Sequence, residues 1–398
     1  MKKREIKKDI YYVGAQDPDR RLFDELIPLP DGTTYNAYLI KGSRATALVD
    51  SVDPPMLDVL MSSIAGTGTD SIDYIISHHG EQDHSGSICD LVQNYPEAEI
   101  IANEKCKGML MDLLHVPEDR FRTVKDGETL SLGDKTLEFV FTPWVHWPET
   151  FSTYVREDRL LFSCDFFGSH YAFDRIMVSE NDTGRVLAAA KRYYGEIMLP
   201  FGSMIKKNLE RLKEYDIDMI GPSHGPVHDD ISYIMDAYRE WCSGKLSNTV
   251  LIPYISMHGS TEKMVVRLKG SLQKKGIRAF DFHRTEDDLG ELACGLIDAA
   301  TVVIGTPTVL AGPHPQAVYA AFLVRALRPP VRFLSIIGSY GWGGKTVETL
   351  AEILSPLKAE IIEPVIVKGN PTDEELEALD GLAEKIASAH KKIAGDLK

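Results

Sequence analysis

The sequence predicts two domains: an α+β domain with two sheets between helices, followed by an α/β domain with a doubly wound parallel sheet. The chain has 398 residues, which fits two domains better than one. Up to the stretch YREWCSGKLSN at 238–248, short strands joined by turn dipeptides alternate irregularly with helices. Beyond that stretch, strands and helices alternate regularly. We therefore expect domains at 1–247 and 248–398.

Strand patterns separated by short polar turns dominate the first domain. The predicted strand series are YNAYLIKG with ATALVDS (35–51), TVKDGETLSLGDKTLEFVFTPW (123–144) and TYVREDRLLFSCD (153–165). Helical patterns lie between them at PPMLDVLMSSIAG (54–66) and SGSICDLVQNY (85–95). Such a mixture favours two sheets sandwiched between helices.

Strands and helices are expected to alternate throughout the second domain. The predicted strands are 249–256, 277–283, 301–307, 331–339 and 359–369. The helical patterns that follow them begin near Thr261, Asp287, Pro315, Lys345 and Pro371. Sheets of this type bind ligands at the carboxyl ends of their strands.

Composition excludes several classes of protein. The net charge of -15 argues against nucleic-acid binding, because an acidic surface repels phosphates. No apolar run approaches the length of a membrane span, and no apolar segment follows MKKREIKK as it would in a signal peptide. The five cysteines form no C-x-x-C pair and fit a reducing compartment. We therefore expect a cytoplasmic protein that binds neither nucleic acid nor membrane.

A dense group of metal-capable side chains follows an apolar run, in the stretch HHGEQDHSG (78–86). His79, Glu81 and Asp83 alternate along the chain and His84 is adjacent to them, so the stretch can serve two metal ions. On the same alternation, His78 is expected to point away. Further candidate ligands follow predicted strand ends at His146, Asp165 and His224.

The types of ligand discriminate between metals. Structural zinc sites use cysteines or close at four ligands, and calcium or magnesium prefers oxygen ligands. Mixed imidazole and carboxylate ligands suit iron or manganese, and iron is the redox-active choice. A carboxylate at Asp165 can bridge two ions.

Loops at three strand ends of the second domain predict a cofactor site. The first opens a helix with small and hydroxyl side chains, which suits a phosphate, and it lacks the G-x-G-x-x-G pattern of NAD sites. The second, GTPTVLAGPHP (305–315), is rich in glycine, proline and threonine, and the third, GSYGWGGKT (338–346), carries Tyr340 and Trp342, which can stack on a flat ring. The candidate residues are Ser256, Met257, His258, Gly259, Ser260, Thr261, Thr306, Pro307, Thr308, Val309, Ser339, Tyr340, Gly341, Trp342 and Gly343.

The stretches HHGEQDHSG, TPWVHWPET, LFSCDFFG and GPSHGPVH resemble the ligand motifs of the flavodiiron proteins, or A-type flavoproteins. The resemblance covers both halves of the chain. It implies a metallo-β-lactamase-like αββα sandwich followed by a flavodoxin-like sheet that binds FMN. By it, His79, Glu81 and His146 hold one iron, Asp83, His84 and His224 hold the other, and Asp165 bridges them. The residue matching His84 does not bind iron directly in every family member.

The resemblance also implies an activity and partners. Reduced FMN would supply electrons for the reduction of O2 to water, of NO to N2O, or both, in a pocket to which Trp144 and Trp147 contribute. A separate donor, rubredoxin or reduced deazaflavin F420, and a head-to-tail homodimer or a dimer of dimers are expected.

Rival interpretations are available from the same residues. One is a dinuclear zinc hydrolase fused to a flavodoxin-like domain, in which zinc would activate a water molecule. Glu81 argues against it, because related zinc hydrolases carry a histidine there. Another is an electron-transfer protein with a vestigial metal site. The G-x-S-x-G match around Ser223 is not favoured as a hydrolase elbow, because His224 itself occupies the loop.

Overall fold

The computed structural model describes residues 4–397. The chain forms two compact units. The first contains the residues up to Tyr193 together with Phe201–Arg239, and the second contains Tyr194–Pro200 together with the residues from Glu240 onward. Among the described residues, no helix combines the length and apolar character needed to cross a membrane.

Two sheets form the centre of the first unit. In chain order, its strands are β1 (Glu5–Lys7), β2 (Ile10–Tyr12), β3 (Ala15–Asp17), β4 (Leu22–Phe23), β5 (Ile27–Pro28), β6 (Thr33–Tyr35), β7 (Tyr38–Lys41), β8 (Thr46–Val49), β9 (Tyr74–Ile76), β10 (Glu99–Ala102), β11 (Phe121–Thr123), β12 (Thr129–Ser131), β13 (Thr136–Phe141), β14 (Phe151–Val155), β15 (Leu160–Cys164) and β16 (Met219–Pro222). One sheet has the order β1-β2-β7-β8-β9-β10-β11 and the other β12-β13-β14-β15-β16. Two small ribbons, β3 with β6 and β4 with β5, complete the strand pairing.

Apolar side chains of both sheets form one shared core, with Ile40 and Ile76 from the first sheet and Phe139 and Leu160 from the second. Burial of these side chains away from water holds the two sheets together. The helices of this part of the chain are α1 (Leu57–Gly66), α2 (Gln82–Ser85), α3 (Ile88–Asn94), α4 (Glu104–Leu114), α5 (Thr183–Tyr193), α6 (Gly202–Leu212) and α7 (Ser232–Trp241).

The strand series predicted at 123–144 forms β12 and β13 of the second sheet, and its first residue, Thr123, ends β11 of the first sheet. Strand β11 pairs in parallel with β10, whereas β12 and β13 form an antiparallel hairpin in the other sheet. The Asp126-Gly127 turn therefore lies where the chain passes between sheets, because a turn dipeptide fixes the local direction but not the strand's partner. The hairpin expected at 35–51 is confirmed as β7 with β8, and the strand series expected at 153–165 forms β14 and β15, which pair with each other.

The second unit contains a parallel sheet flanked by helices. Its strands are β17 (Ser247–Tyr254), β18 (Arg278–His283), β19 (Ala299–Val309), β20 (Gly312–Pro313), β21 (Phe333–Tyr340), β22 (Glu360–Ile361) and β23 (Val365–Lys368). Its helices are α8 (Ser260–Lys274), α9 (Leu289–Leu296), α10 (Pro315–Leu327), α11 (Thr346–Leu354) and α12 (Asp373–Lys392). The order β18-β17-β19-β21-β22, with β23 also beside β21, is the flavodoxin-like doubly wound order and confirms the predicted class.

Two local predictions in the second unit are wrong. The strand expected at 359–369 is interrupted at Pro364, whose ring removes a backbone donor, and forms β22 and β23. The loop expected after the strand at 301–307 instead continues β19 to Val309 and forms a hairpin with β20. Leu310 and Ala311 form its turn with φ of 50° and 61°, values that turns of this type normally assign to glycine or asparagine.

Candidate metal centre and cofactor pocket

The predicted metal-ligating side chains lie just beyond the carboxyl ends of strands in the first unit. His79 follows β9, His146 follows β13 and Asp165 directly follows β15. His224 follows β16, which runs parallel to β15. These strand ends meet at one edge of the sandwich and bring the side chains together in two groups. The first group is His79, Glu81, His146 and Asp165, and the second is Asp83, His84 and His224, with ligand atoms in each group within 4.8 Å of one another.

A turn of helix separates the two groups within HHGEQDHSG. Glu81 precedes α2 with extended backbone, and Asp83 and His84 lie inside this helix of four residues. The sequence predicts an extended loop here, which is wrong because the residues from Gln82 onward are helical. The helical turn directs Asp83 and His84 toward the second group while Glu81 stays with the first.

Asp165 is common to both groups. Its Oδ2 atom is 3.2 Å from Nε2 of His79 and 3.2 Å from Nε2 of His146. Its Oδ1 atom is 3.4 Å from Nε2 of His84 and 3.8 Å from Nε2 of His224. One carboxylate thus faces two sets of donors with different oxygens, which is the arrangement a bridging ligand requires.

The remaining distances define each group. In the first, Oε2 of Glu81 lies 2.9 Å from Nε2 of His146 and 3.4 Å from Nε2 of His79. In the second, Oδ2 of Asp83 lies 3.0 Å from Nε2 of His84 and 3.2 Å from Nε2 of His224. The donor atoms of each group therefore converge on one point.

Buried polar atoms without hydrogen-bond partners indicate that the groups fit metal ions. Both carboxylate oxygens of Asp83, Oδ1 of Asp165 and Nε2 of His79 are buried and lack such partners. Leaving these atoms unsatisfied costs free energy, whereas coordination of a cation would satisfy them. The mixed imidazole and carboxylate donors suit iron.

Electrostatics at the centre favour positive charge. Burial opposes protonation of His84, yet Asp83 and Asp165 raise its pKa to about 10. Burial likewise opposes protonation of His146, and hydrogen bonds to Asp165 and Glu81 raise its pKa to about 9. Despite burial, the neighbouring histidines hold the pKa of Asp165 well below its usual range. The carboxylates therefore stay ionised and attract cations.

Contacts outside the two groups orient the imidazole rings. Nδ1–H of His224 donates to the Thr34 carbonyl at 2.5 Å, which directs Nε2 into the second group. Nδ1 of His79 lies 3.4 Å from the Cys164 sulfur. Gly225 has a φ of +79°, and an added Cβ atom would lie 2.1 Å from the Ser169 hydroxyl, so glycine is required beside His224.

His78 lies outside both groups, in agreement with its expected direction. Its Nδ1 atom is 2.7 Å from the Asp50 carboxylate and its Nε2 atom is 2.8 Å from the Thr153 hydroxyl. Both ring nitrogens are therefore occupied by structural contacts in the interior.

Sequence analysis missed a second layer of aromatic rings around the metal groups. The His170 ring lies 4.8 Å from that of His224, and its pKa is well below the ordinary value because of burial and the neighbouring His224. Phe23 and Tyr193 also lie against His224. The only sequence signal for this layer is the position of His170 five residues after Asp165, within DFFGSH. That spacing is not specific for a residue near a metal site.

The two tryptophans behave differently. Trp147 contacts the rings of His79 and His146, with centroids 6.0 Å and 6.4 Å apart. Trp144 instead stacks on Phe201 and is 44% exposed, so the expectation that it lines the metal site is wrong.

A cavity of about 240 Å³ lies at the carboxyl ends of the strands of the second unit. The predicted residues that line it are Ser256, Met257, His258, Ser260, Thr261, Pro307, Thr308, Ser339, Tyr340 and Gly341. The predicted residues outside this lining are Gly259, Thr306, Val309, Trp342 and Gly343. Thr306 instead donates its hydroxyl to the Pro307 carbonyl, and Trp342 is 69% exposed.

The first loop of this cavity fits a phosphate. Gly259 precedes α8 with a φ of +81° and has no side chain to cap the helix, and the Ser256 hydroxyl accepts only from the N–H of Glu262, at 3.3 Å. The Thr261 hydroxyl is buried, lacks a hydrogen-bond partner and belongs to a residue that lines the cavity. Helix N-termini with free backbone N–H groups attract phosphates, so the loop suits the phosphate of FMN.

Comparisons with known proteins agree with the division of the chain into two domains. Residues 33–225 match the family model described as ODP family beta lactamase, and residues 252–380 match flavodoxin. A coenzyme F420H2 oxidase from Methanothermobacter marburgensis is 33% identical over 96% of this chain and 97% of its own length. A nitric oxide reductase from Moorella thermoacetica is 33% identical over 95% of this chain and 96% of its own length.

Solved structures are similar over nearly the whole chain. The rubredoxin oxygen:oxidoreductase of Desulfovibrio gigas is 30% identical, with a TM-score of 0.94 over 98% of both chains. The flavodiiron protein of Giardia intestinalis is 28% identical, with a TM-score of 0.92 over 100% of this chain and 99% of that one.

The fold and the two sites define a class: oxidoreductases that join a metallo-β-lactamase-like domain to a flavodoxin-like domain. Within it, the chain belongs to the flavodiiron proteins, also called type A flavoproteins. Members carry FMN and a non-haem diiron centre, and the residues described above fit both groups. Family membership excludes the zinc hydrolase alternative.

Proposed function

We propose that this chain is a flavodiiron oxidoreductase that reduces O2 to water, NO to N2O, or both, with electrons relayed through FMN. The observation that carries the proposal is the shared Asp165 carboxylate, which faces two groups of mixed imidazole and carboxylate donors. The relatives named coenzyme F420H2 oxidase and nitric oxide reductase support the two substrates.

The proposed ligand assignment follows the two groups. His79, Glu81 and His146 would hold one iron, Asp83, His84 and His224 the other, and Asp165 both. A bound diiron pair supplies the one-electron chemistry that reduction of a diatomic gas requires. The carboxylates of Glu81, Asp83 and Asp165 balance most of the charge of two divalent ions and so limit the cost of burying them.

The surrounding rings shape the pocket. Trp147 covers His79 and His146 on one side, and Phe23 and Tyr193 lie against His224 on the other. Apolar rings at these positions exclude water, which favours entry of small uncharged gases and strengthens electrostatic interactions inside the pocket.

The cofactor assignment rests on the three loops of the second unit. We assign FMN to the residues predicted on those loops, with its phosphate at the N-terminus of α8. This gives a metal domain at 1–247 and an FMN domain at 248–398, which the two family matches support. The small number of cysteines in the sequence, which form no C-x-x-C pair, supports a cytoplasmic location.

One set of measurements tests the main proposal. We expect about two irons and one FMN per purified chain, with the absorption spectrum of a flavin, and turnover of at least one of O2 and NO with a competent donor. Zinc in place of iron, or a colourless protein that does not bind added FMN, would contradict the proposal. Steady-state rates with each gas distinguish the two substrates.

A separate donor must reduce the FMN. The relative from Methanothermobacter marburgensis is named for F420H2, and the similar structure from Desulfovibrio gigas is named for rubredoxin. We propose that this chain takes electrons from one of these two kinds of donor. Anaerobic stopped-flow reduction of the bound flavin by reduced F420 and by reduced rubredoxin identifies the donor, and slow reduction by both would exclude both.

Apolar side chains exposed around the cofactor pocket support a homodimer, arranged head to tail, or a dimer of dimers. Met257, Leu310 and Trp342 lie on the three loops and are 47%, 89% and 69% exposed. Three such residues on one rim favour an interface with a second copy. We expect Leu310→Glu to shift the protein toward monomer in light-scattering measurements, whereas the matched Phe322→Glu, at an exposed position on α10, does not.

A further inference from the structure

The cofactor cavity has a fourth wall that lies outside the three predicted loops. Gly369 and Asn370, directly after β23, line the cavity together with the first loop. Backbone N–H of Gly369 donates to the Tyr340 carbonyl at 2.8 Å, so this wall is fixed to the end of β21. A positive φ of 78° at Gly369 makes the turn.

Lys263 reaches this wall from the first turn of α8. Its Nζ atom donates to Oδ1 of Asn370 at 2.9 Å. Lys263 lies three residues after Ser260, so the two residues share a face of the helix, and a helical side chain leans toward the N-terminus of its helix. The ammonium is therefore held within one hydrogen bond of a side chain that lines the cavity.

The charge of Lys263 is available to an anion. Two other basic side chains of α8 are paired with carboxylates: Arg267 with Asp380 and Lys269 with Asp281. Lys263 instead contacts a neutral amide oxygen, and no Lys or Arg is among the residues that line the cavity. The exposed Glu262 beside it would repel a phosphate dianion, and Lys263 can offset that repulsion.

The buried Thr261 hydroxyl, which lacks a hydrogen-bond partner, independently indicates that a ligand occupies this end of the cavity. We propose that Lys263, positioned by Asn370, binds the phosphate monoester of FMN and selects phosphorylated flavin over riboflavin. This inference rests on the proposed FMN site. It adds an ammonium contact to a loop that otherwise offers backbone N–H groups, hydroxyls and the His258 imidazole.

Fluorescence titration of the full-length, flavin-free chain with FMN and with riboflavin tests the inference. We expect Lys263→Met to raise the Kd for FMN about tenfold and to leave the Kd for riboflavin within about twofold. Salt should weaken FMN binding to the wild type more than to Lys263→Met, because ions screen the charge pair. Asn370→Leu should weaken FMN binding about threefold, because it frees the ammonium.

Lys274→Met is the matched control, since it removes the same charge from the same helix eleven residues further on, about 16 Å away. An equal change in FMN affinity in both lysine variants would overturn the inference, as would equal weakening of FMN and riboflavin by Lys263→Met. Failure of the wild type to bind FMN would instead overturn the proposed FMN site itself.

Discussion

In the first unit, the metal groups consist of charged side chains, most of them buried, whereas in the second unit the cofactor pocket consists of small side chains and backbone at the surface. Asp165 is 1% exposed and contacts four histidines. The loop around Gly259 offers mainly uncapped backbone N–H groups and hydroxyls. The metal centre therefore depends on a few individual side chains, and the pocket distributes binding over many groups.

This difference follows from the charge of the ligands. Two divalent ions in a buried site need ionised carboxylates nearby, since burying an unbalanced charge is costly. A phosphate at a helix N-terminus is stabilised by backbone dipoles that any sequence supplies. Single substitutions should therefore be far more damaging in the first unit.

The largest effect is expected from Asp165→Asn, because it removes charge from the one side chain shared by both groups. We expect iron content below half of the wild-type value and gas turnover reduced about 100-fold or more, with FMN content unchanged. Iron analysis and steady-state assays measure this. The exposed Asp230→Asn is the control, and full iron content with wild-type turnover in Asp165→Asn would contradict the ligand assignment.

Buried histidines away from the carboxylates sharpen the comparison. Burial lowers their pKa, whereas in the metal groups the neighbouring carboxylates raise the pKa of buried histidines. Burial lowers the pKa of His390 to about 4. Its Nδ1 atom lies 2.7 Å from Oδ1 of Asn248 and its Nε2 atom lies 2.7 Å from the Thr301 hydroxyl. Burial also lowers the pKa of His228, in the first unit, to about 4.

Because the pKa of His390 is lower in the folded state, the unfolded state binds a proton at a higher pH than the folded state does. The contribution of His390 is fully present above pH 6.5 and is lost toward pH 4, at a cost of about 3 kcal/mol in the free energy of unfolding. We measure the free energy of unfolding in urea at pH 7 and at pH 4.5. Its decrease between the two pH values should be smaller in His390→Gln than in the wild type. An equal decrease in the free energy of unfolding in both proteins would contradict a contribution of His390 to acid sensitivity.

A smaller effect is expected from Glu81→His, which changes the type of one donor. An added imidazole in place of a carboxylate makes the first group more like a zinc site and removes one negative charge. We expect the zinc-to-iron ratio after reconstitution with equal amounts of both metals to rise about tenfold. An unchanged ratio would show that Glu81 does not select the metal.

The smallest effect is expected in the pocket. Thr261→Val removes a hydroxyl but leaves the backbone N–H groups, so FMN affinity should fall only about fivefold. Thr249→Val is the matched control, because the Thr249 hydroxyl is also buried without a hydrogen-bond partner but lies in β17. A loss as large as that of Asp165→Asn would break the comparison between the two regions.

Local pattern was enough to predict much of this protein. The regular alternation after 248 gave the doubly wound sheet, and adjacent turns gave the hairpin of β7 and β8. Contacts between residues distant in sequence were not predicted: β11 pairs with β10 in the first sheet, and Trp144 stacks on Phe201. Hairpins and helices depend on nearby residues, whereas these contacts depend on how the sheets pack.

The sequence by itself determined which donors are present, because residue type and spacing in HHGEQDHSG restrict the metals that can bind. Only the tertiary structure decided that the two oxygens of Asp165 face different groups, that α2 divides Glu81 from Asp83, and that Asn370 forms a wall of the cofactor cavity. These features arise where strand ends distant in sequence meet at one edge of a sheet. Pairing of distant strands is a property of the packed core and is not encoded in any short stretch.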